Sequence, residues 1–195
     1  MLKGAPEIDD VQAIDERRAV LDAALAELAS KKNVDKFTLE GVAARLGRDP
    51  LEIKQLFPNT PALFTAALIE WGERTMPIPD TGTLRGDLIE YSRSYAEAVN
   101  TPTGRLLLDM VVISPRDWDV QGSKRTFRRA RPNRLKVMVQ RAIDRGECSN
   151  QVDPALVVEL IAAALATPIL FYDEPISDEY CRRVVDVFLQ GILRS

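Results

Sequence analysis

The stretch TLEGVAARLGRDPLEIKQLFPNTPALF, from Thr38 to Phe64, decides how the chain folds. Leu39, Val42, Ala43 and Leu46 recur at three- and four-residue intervals and share one face of a short helix, with Thr38 ahead of it to cap free backbone amides. Gly47 ends that helix. Asp49 and Pro50 open another, the carboxylate as cap and the proline at the first helical position, where its missing N–H costs nothing. It reads Leu51-Glu-Ile-Lys-Gln-Leu-Phe57, about two turns. Pro58-Asn-Thr-Pro61 is a turn, and from Pro61 a further helix carries Leu63, Phe64, Ala67, Leu68 and Trp71 on one side before Gly72. Upstream, Val20, Leu21, Ala24, Leu25 and Leu28 put an apolar face on a helix from Arg17 to about Ser30, closed by Lys31-Lys32-Asn33. Two short helices joined by a glycine-containing turn and flanked by longer ones outline a helix-turn-helix module. Many all-helical proteins contain such corners, so the outline alone does not establish DNA binding.

Outside this stretch the chain also reads as helix. Residues 1–16, with Gly4, Pro6 and an acidic balance, are expected to form a flexible arm. Met76 to Gly82 is rich in turn residues and reads as a domain junction. Leu84, Leu88, Tyr91 and Tyr95 stand at helical spacing, and Thr101-Pro102 opens a segment with Leu106, Leu107, Met110, Val111 and Ile113 that Ser114-Pro115 stops. From Lys124 to Arg145 nine basic residues face Asp144 alone. That run fits a solvated helix face, a wall that favours an anionic ligand, or a surface gripping membrane or nucleic acid non-specifically. Asp153-Pro154 opens the most apolar part of the chain, and a last helix brings Val184, Val185, Phe188, Leu189 and Ile192 in a broad band. Two helices this apolar suit either a surface covered by a second subunit or a thick monomer core.

Composition narrows the chemistry. The 195 residues are 46% hydrophobic and 28% charged with a net charge of −3, enough for a folded core without staples. No uninterrupted apolar run approaches the ~20 residues of a spanning helix, and the start lacks a basic-then-apolar leader, so a cytoplasmic protein without membrane contact is expected. There is no histidine, which removes imidazole triads, proton shuttles and the usual zinc sites. Cys148 and Cys181 have no metal-ligand spacing and read as packing residues. With no glycine-rich phosphate loop and no nucleophile elbow, the expectation is no catalytic residue, no metal, no cofactor and no enzyme.

The residues Thr38-Leu39, Val42-Ala43, Gly47, Leu56-Phe57 and Leu63-Phe64 stand at the spacings of the DNA-binding signature of TetR-family transcriptional regulators, which the chain resembles from about Arg17 to Trp71. Arg145-Gly146-Glu147 leading to Val152-Asp153-Pro154, and the terminal helix, resemble the family's second domain more loosely. The chain departs from the signature where Lys54 replaces a usual tyrosine, Thr60 a usual lysine, and Leu51 a small residue. The resemblance implies an all-α fold: residues 17–60 as a three-helix helix-turn-helix DNA-binding domain, and residues 61–195 as a helical effector-binding and dimerisation domain. It further implies a sequence-specific transcriptional regulator, a ligand-responsive repressor acting as a homodimer on a palindromic stretch of double-stranded DNA. The alternative is a helical small-molecule-binding or protein-interaction protein whose head has lost specific DNA reading.

Residues 17–70 hold eight basic and seven acidic side chains, net +1, so any positive field must be local. Arg45, Arg48, Lys54 and Lys36 supply it around the two short helices. Docked as helix-turn-helix modules dock, the helix from Pro50 enters the major groove. Arg48, Leu51 and Gln55 are then the base readers, since arginine suits guanine, glutamine suits adenine and an apolar group suits a thymine methyl. Thr38, Arg45 and Lys54 are assigned to phosphates. In the second domain the resemblance implies an unknown small-molecule effector, with Tyr91, Tyr95, Arg105, Met110, Trp118 and Phe127 as candidate lining. It implies a dimer interface on Leu160, Ile161, Ala164, Leu165, Val185, Phe188, Leu189 and Ile192.

Overall fold

The computed structural model describes residues 8–31, 36–112 and 135–192, with side chains described at 12–31, 36–109 and 135–191. The expected helix exit at Lys32-Asn33, the segment holding Trp118 and Phe127, and the side chains of Met110 and Ile192 lie outside the described residues. Apart from a 3-10 position at Lys36, everything regular among the described residues is α-helix. The helices are α1 (Ile8–Lys31), α2 (Leu39–Leu46), α3 (Pro50–Leu56), α4 (Thr60–Thr75), α5 (Leu84–Val99), α6 (Pro102–Val112), α7 (described over 135–144), α8 (Pro154–Tyr172) and α9 (Asp178–Ile192).

The first helix begins earlier than expected. Residues 8–16 belong to α1 and not to an arm, because the acidic composition that reads as a tail is also what the positive start of a helix dipole favours. The chain divides into two compact units between Trp71 and Gly72 rather than at 60. The reason lies in α4, whose Leu63, Phe64, Ala67 and Leu68 are buried. Phe64 lies against Phe37, ring centroids 6.1 Å apart, and Glu70 faces Arg18 of α1 at 3.9 Å.

In the first unit Val20, Leu21, Ala24, Leu25 and Leu28 of α1 are buried as their spacing predicts. They form a core with Leu39, Val42 and Ala43 of α2, Ile53 of α3, and Phe57. Arg17 of α1 lies over the Phe57 ring at 4.4 Å, a cation–π contact that joins the first helix to the end of the third.

In the second unit α5 packs on α6 and α9, and α8 packs on α9. Tyr91, Tyr95, Leu84 and Leu88 of α5 are buried, with Ile161 and Leu165 of α8 and Val185 of α9. Asn100 pairs with the backbone of Ile176 twice, donating and accepting at 2.9 Å, which fixes the entry to α9. Glu147 accepts the Leu84 N–H at 2.7 Å and so covers the start of α5. Cys181 is buried, its thiol reaching the Ser92 carbonyl at 3.4 Å, and burial pushes its pKa up to about 11.

One described helix, α8, is long and apolar enough to cross a membrane by length and composition, which a search for uninterrupted apolar runs passes over because Glu159 lies inside it. One side of α8 is core, however: Val157, Val158, Ile161, Leu165 and Ile169 are buried.

Candidate nucleic-acid interface

Three local devices set the α2–α3 corner. Thr38 is extended (φ −138°, ψ 155°), and its Oγ1 accepts the Gly41 N–H at 3.0 Å, which starts α2. At the other end Gly47 is left-handed (φ 67°, ψ 30°). The Gly47 and Arg48 amides then return to the carbonyls of Ala44 and Ala43, at 3.2 and 3.0 Å, the paired bonds of a Schellman stop. Two residues later Asp49 Oδ1 accepts the Leu51 N–H at 2.8 Å and Pro50 opens α3. The turn is therefore as short as its sequence signals.

The third helix is held from behind. Ile53 is its one buried side chain, Phe57 closes it with an N–H to the Ile53 carbonyl at 2.8 Å, and Phe57 itself is buried. Leu51, Lys54 and Gln55 face solvent, and Leu51 is 65% exposed. Leu51 therefore adds little to the core of its own unit and is free on the surface of α3. The unit thus brings Leu51, Lys54 and Gln55 onto the free side of one helix, with Arg48 at its entrance. Thr38 is exposed at the start of α2, and its hydroxyl can still donate while accepting from Gly41.

Arg45 is placed differently from the expectation. Its Nε and Nη2 donate to Glu27 Oε2 at 3.2 and 3.0 Å, and Nη2 also donates to Ser30 Oγ at 3.1 Å. Glu27 is only 5% exposed, and Lys31 adds a second cation at 3.4 Å. Burial raises the Glu27 pKa, but the hydrogen bond from Arg45 and the charges of Lys31 and Arg45 outweigh it and hold the carboxyl below its ordinary value. A guanidinium that left this carboxylate for DNA would leave a buried charge to weaker partners, Lys31 and the Ser30 hydroxyl at 3.4 Å. Arg45 is therefore first a bolt between α1 and α2.

Arg48 is also engaged, but at the surface. Its Nε donates to Glu52 Oε2 at 2.6 Å and its Nη2 donates to Glu16. Hydrogen bonding to Glu16, then to Glu52, raises the guanidinium pKa further, so Arg48 stays charged. Sequence reasoning missed Glu16, Glu27 and Glu52 as partners. The first gave no signal, being 32 residues from Arg48. The second was visible as a charge on the apolar face of α1. The third stands four residues after Arg48, the spacing of a helical ion pair.

In the second unit four of the expected interface residues are sealed in the core: Ile161, Leu165 and Val185 are 0% exposed and Leu189 5%. They lie on the side of α8 and α9 that faces their own unit. Leu160 is 49% exposed, and Ala164 and Phe188 are half-buried. Of the expected effector-lining residues, Tyr91 and Tyr95 are buried in α5, and Arg105 is half-buried and paired with Asp173. Among the described residues no group of three or more Cys, Asp or Glu side chains is placed to hold a metal ion.

Residues 78–188 match the family model described as tetracyclin repressor-like, C-terminal domain, which covers more than half of the chain. The chain belongs to the TetR family. The HTH-type transcriptional regulator AqdR of Rhodococcus erythropolis is 26% identical over 175 residues, covering 90% of this chain and 84% of AqdR. The uncharacterised HTH-type regulator YdeS of Bacillus subtilis (strain 168) is 23% identical over 177 residues, covering 90% of this chain and 88% of YdeS. The crystal structure of the TetR family transcription regulator SCO0332 superposes with a TM-score of 0.73 at 27% identity, covering 90% of this chain and 98% of that one. This TetR-family chain is thus a DNA-binding transcriptional regulator of the helix-turn-helix type, all-helical in both units. Its relatives are regulators and not enzymes. Regulators of this family bind DNA, act as dimers and bind small-molecule effectors.

Proposed function

We propose that the protein is a cytoplasmic, ligand-responsive repressor that acts as a homodimer on a palindromic operator, with α3 reading bases in the major groove. The observation that carries this reading is the division of labour on α3: Ile53 and the Phe57 that closes the helix anchor it, while Leu51, Lys54 and Gln55 are displayed. Gln55 suits adenine and Leu51 a thymine methyl. Arg48 suits guanine from the helix entrance. Lys54 serves a phosphate as a point charge where the family has a hydroxyl, and Thr38 donates to the backbone beside it. Arg45 contributes by holding α2 in place.

The dimer face in this reading is the uncovered side of α8 and α9. Leu156, Leu160 and Phe171 are 51%, 49% and 76% exposed, and Val187 of α9 is 71% exposed. An apolar set of this kind left open on two neighbouring helices is what a second copy would cover. An effector among the central helices, near Tyr91, Tyr95 and Arg105, would release DNA by preferring the conformation whose heads do not match the operator.

The test is binding of the purified protein to duplex DNA from its own upstream region, across a salt series. The reading expects a dimer that prefers this duplex over a random one and weakens steeply as salt rises. A monomer, or equal affinity for both duplexes at every moderate salt, would contradict it.

A further inference from the structure

Arg48 stands between Glu16 of α1 and Glu52 of α3, one guanidinium against two carboxylates. Glu52 takes the Nε–H at 2.6 Å while Glu16 takes an Nη2–H. All three side chains are partly exposed, 31% for Arg48, 40% for Glu16 and 46% for Glu52. Exposed ion pairs are weak and exchange for other partners.

An unpaired arginine at this corner would bind any phosphate, because every base pair presents the same backbone charge. With Glu16 attached, a phosphate offers Arg48 little: either the ion pair breaks, or the Glu16 carboxylate is carried up to another anion. A guanine edge differs. It is neutral, presents O6 and N7 as acceptors in one plane, and does not repel the carboxylates. Arg48 can turn its remaining donors to that edge while Glu52 keeps the Nε–H and fixes the plane of the guanidinium.

We propose that Glu16 is a specificity-determining positioning residue, which withholds Arg48 from phosphates and, with Glu52, presents it to guanine. The inference rests on α3 being the base-reading helix. Removing the Glu16 charge should then improve wrong binding more than right binding.

The experiment compares wild type, Glu16→Gln, Arg48→Gln and the double variant by fluorescence anisotropy over a salt range. The probes are the duplex that the wild-type protein selects from a random library and a scrambled duplex of the same length and composition. Glu16→Gln is expected to bind the scrambled duplex about threefold to tenfold tighter, with a salt slope steeper by roughly one per protomer. Its affinity for the selected duplex should change less, and the gain should vanish without Arg48. The proposal is overturned if both duplexes gain equally, if scrambled binding is unchanged, or if the gain persists in the Arg48→Gln background. Glu16 is partly exposed on α1, and Glu16→Ala, a better helix former, gives the same comparison should the glutamine variant unfold. If wild type selects no duplex, the base-reading role of α3 and this inference fail together. If wild type discriminates and Glu16→Gln matches it, only the inference fails.

Discussion

Glu27 lies on the apolar face of α1, and Gly41 faces it with no side chain; a Cβ there would meet Glu27 Oε1 at 2.7 Å. The glycine in α2 makes room for a carboxylate from α1, and Arg45 neutralises it. Replacing Arg45 with alanine leaves the buried carboxylate with Lys31 and the Ser30 hydroxyl, both at 3.4 Å, and should cost about 1–3 kcal/mol in denaturant unfolding. The pH dependence follows from the same group. Its folded pKa lies below the ordinary 4.5, so its contribution to stability is complete above that pH and is lost as pH falls below it. Melting curves of wild type should drop faster than those of Glu27→Gln in that acidic range, and parallel curves would contradict the ion-pair role. On propensity alone Gly41→Ala should gain up to roughly 1 kcal/mol. The clash with a pinned carboxylate should reverse the sign, and a Glu27→Ala background should restore the gain.

At the scale of elements, the corner works because its stops and starts are local. Gly47 at φ 67° should not tolerate alanine without losing about 1 kcal/mol, and Asp49→Ala should cost about as much by removing the α3 cap. Both are read as melting shifts. Lys54→Ala should leave melting unchanged, weaken all DNA binding uniformly and reduce the salt slope by about one. These devices were legible in the sequence because each lies within four residues of what it controls. Thr38, Gly47, Asp49 and Pro50 announce the boundaries of α2 and α3; that Ile53 and Phe57 are the buried side came from the fold. What was not legible came from tertiary pairing. The sequence assigns Arg45 to a phosphate and Arg48 to a base, and only the position of α1 makes one a bolt to Glu27 and the other a surface partner of Glu16. The start of α1 was misread because acidic residues suit both a tail and the beginning of a helix.

At the scale of the whole molecule, α8 shows how composition can mark a helix as important without saying which side faces where. Apart from Glu159 and Thr167 it is apolar on every side, so its sequence offers no clear stripe. The fold supplies one: Ile161 and Leu165 inside, Leu156 and Leu160 outside. Leu160→Glu should therefore yield a folded monomer in light scattering, whereas Ile161→Ala should cost about 2–5 kcal/mol of stability without first changing the oligomeric state. The central claim, that α3 reads DNA on behalf of a two-fold molecule, is tested most directly by selecting bound fragments from a random duplex library. Wild type should enrich a two-fold symmetric sequence with half-sites spaced by whole helical turns, and Gln55→Ala should lose preference at one symmetric pair of positions. Enrichment of no sequence, or of the same sequence with equal preference after Leu51, Lys54 and Gln55 are all replaced by alanine, would contradict it.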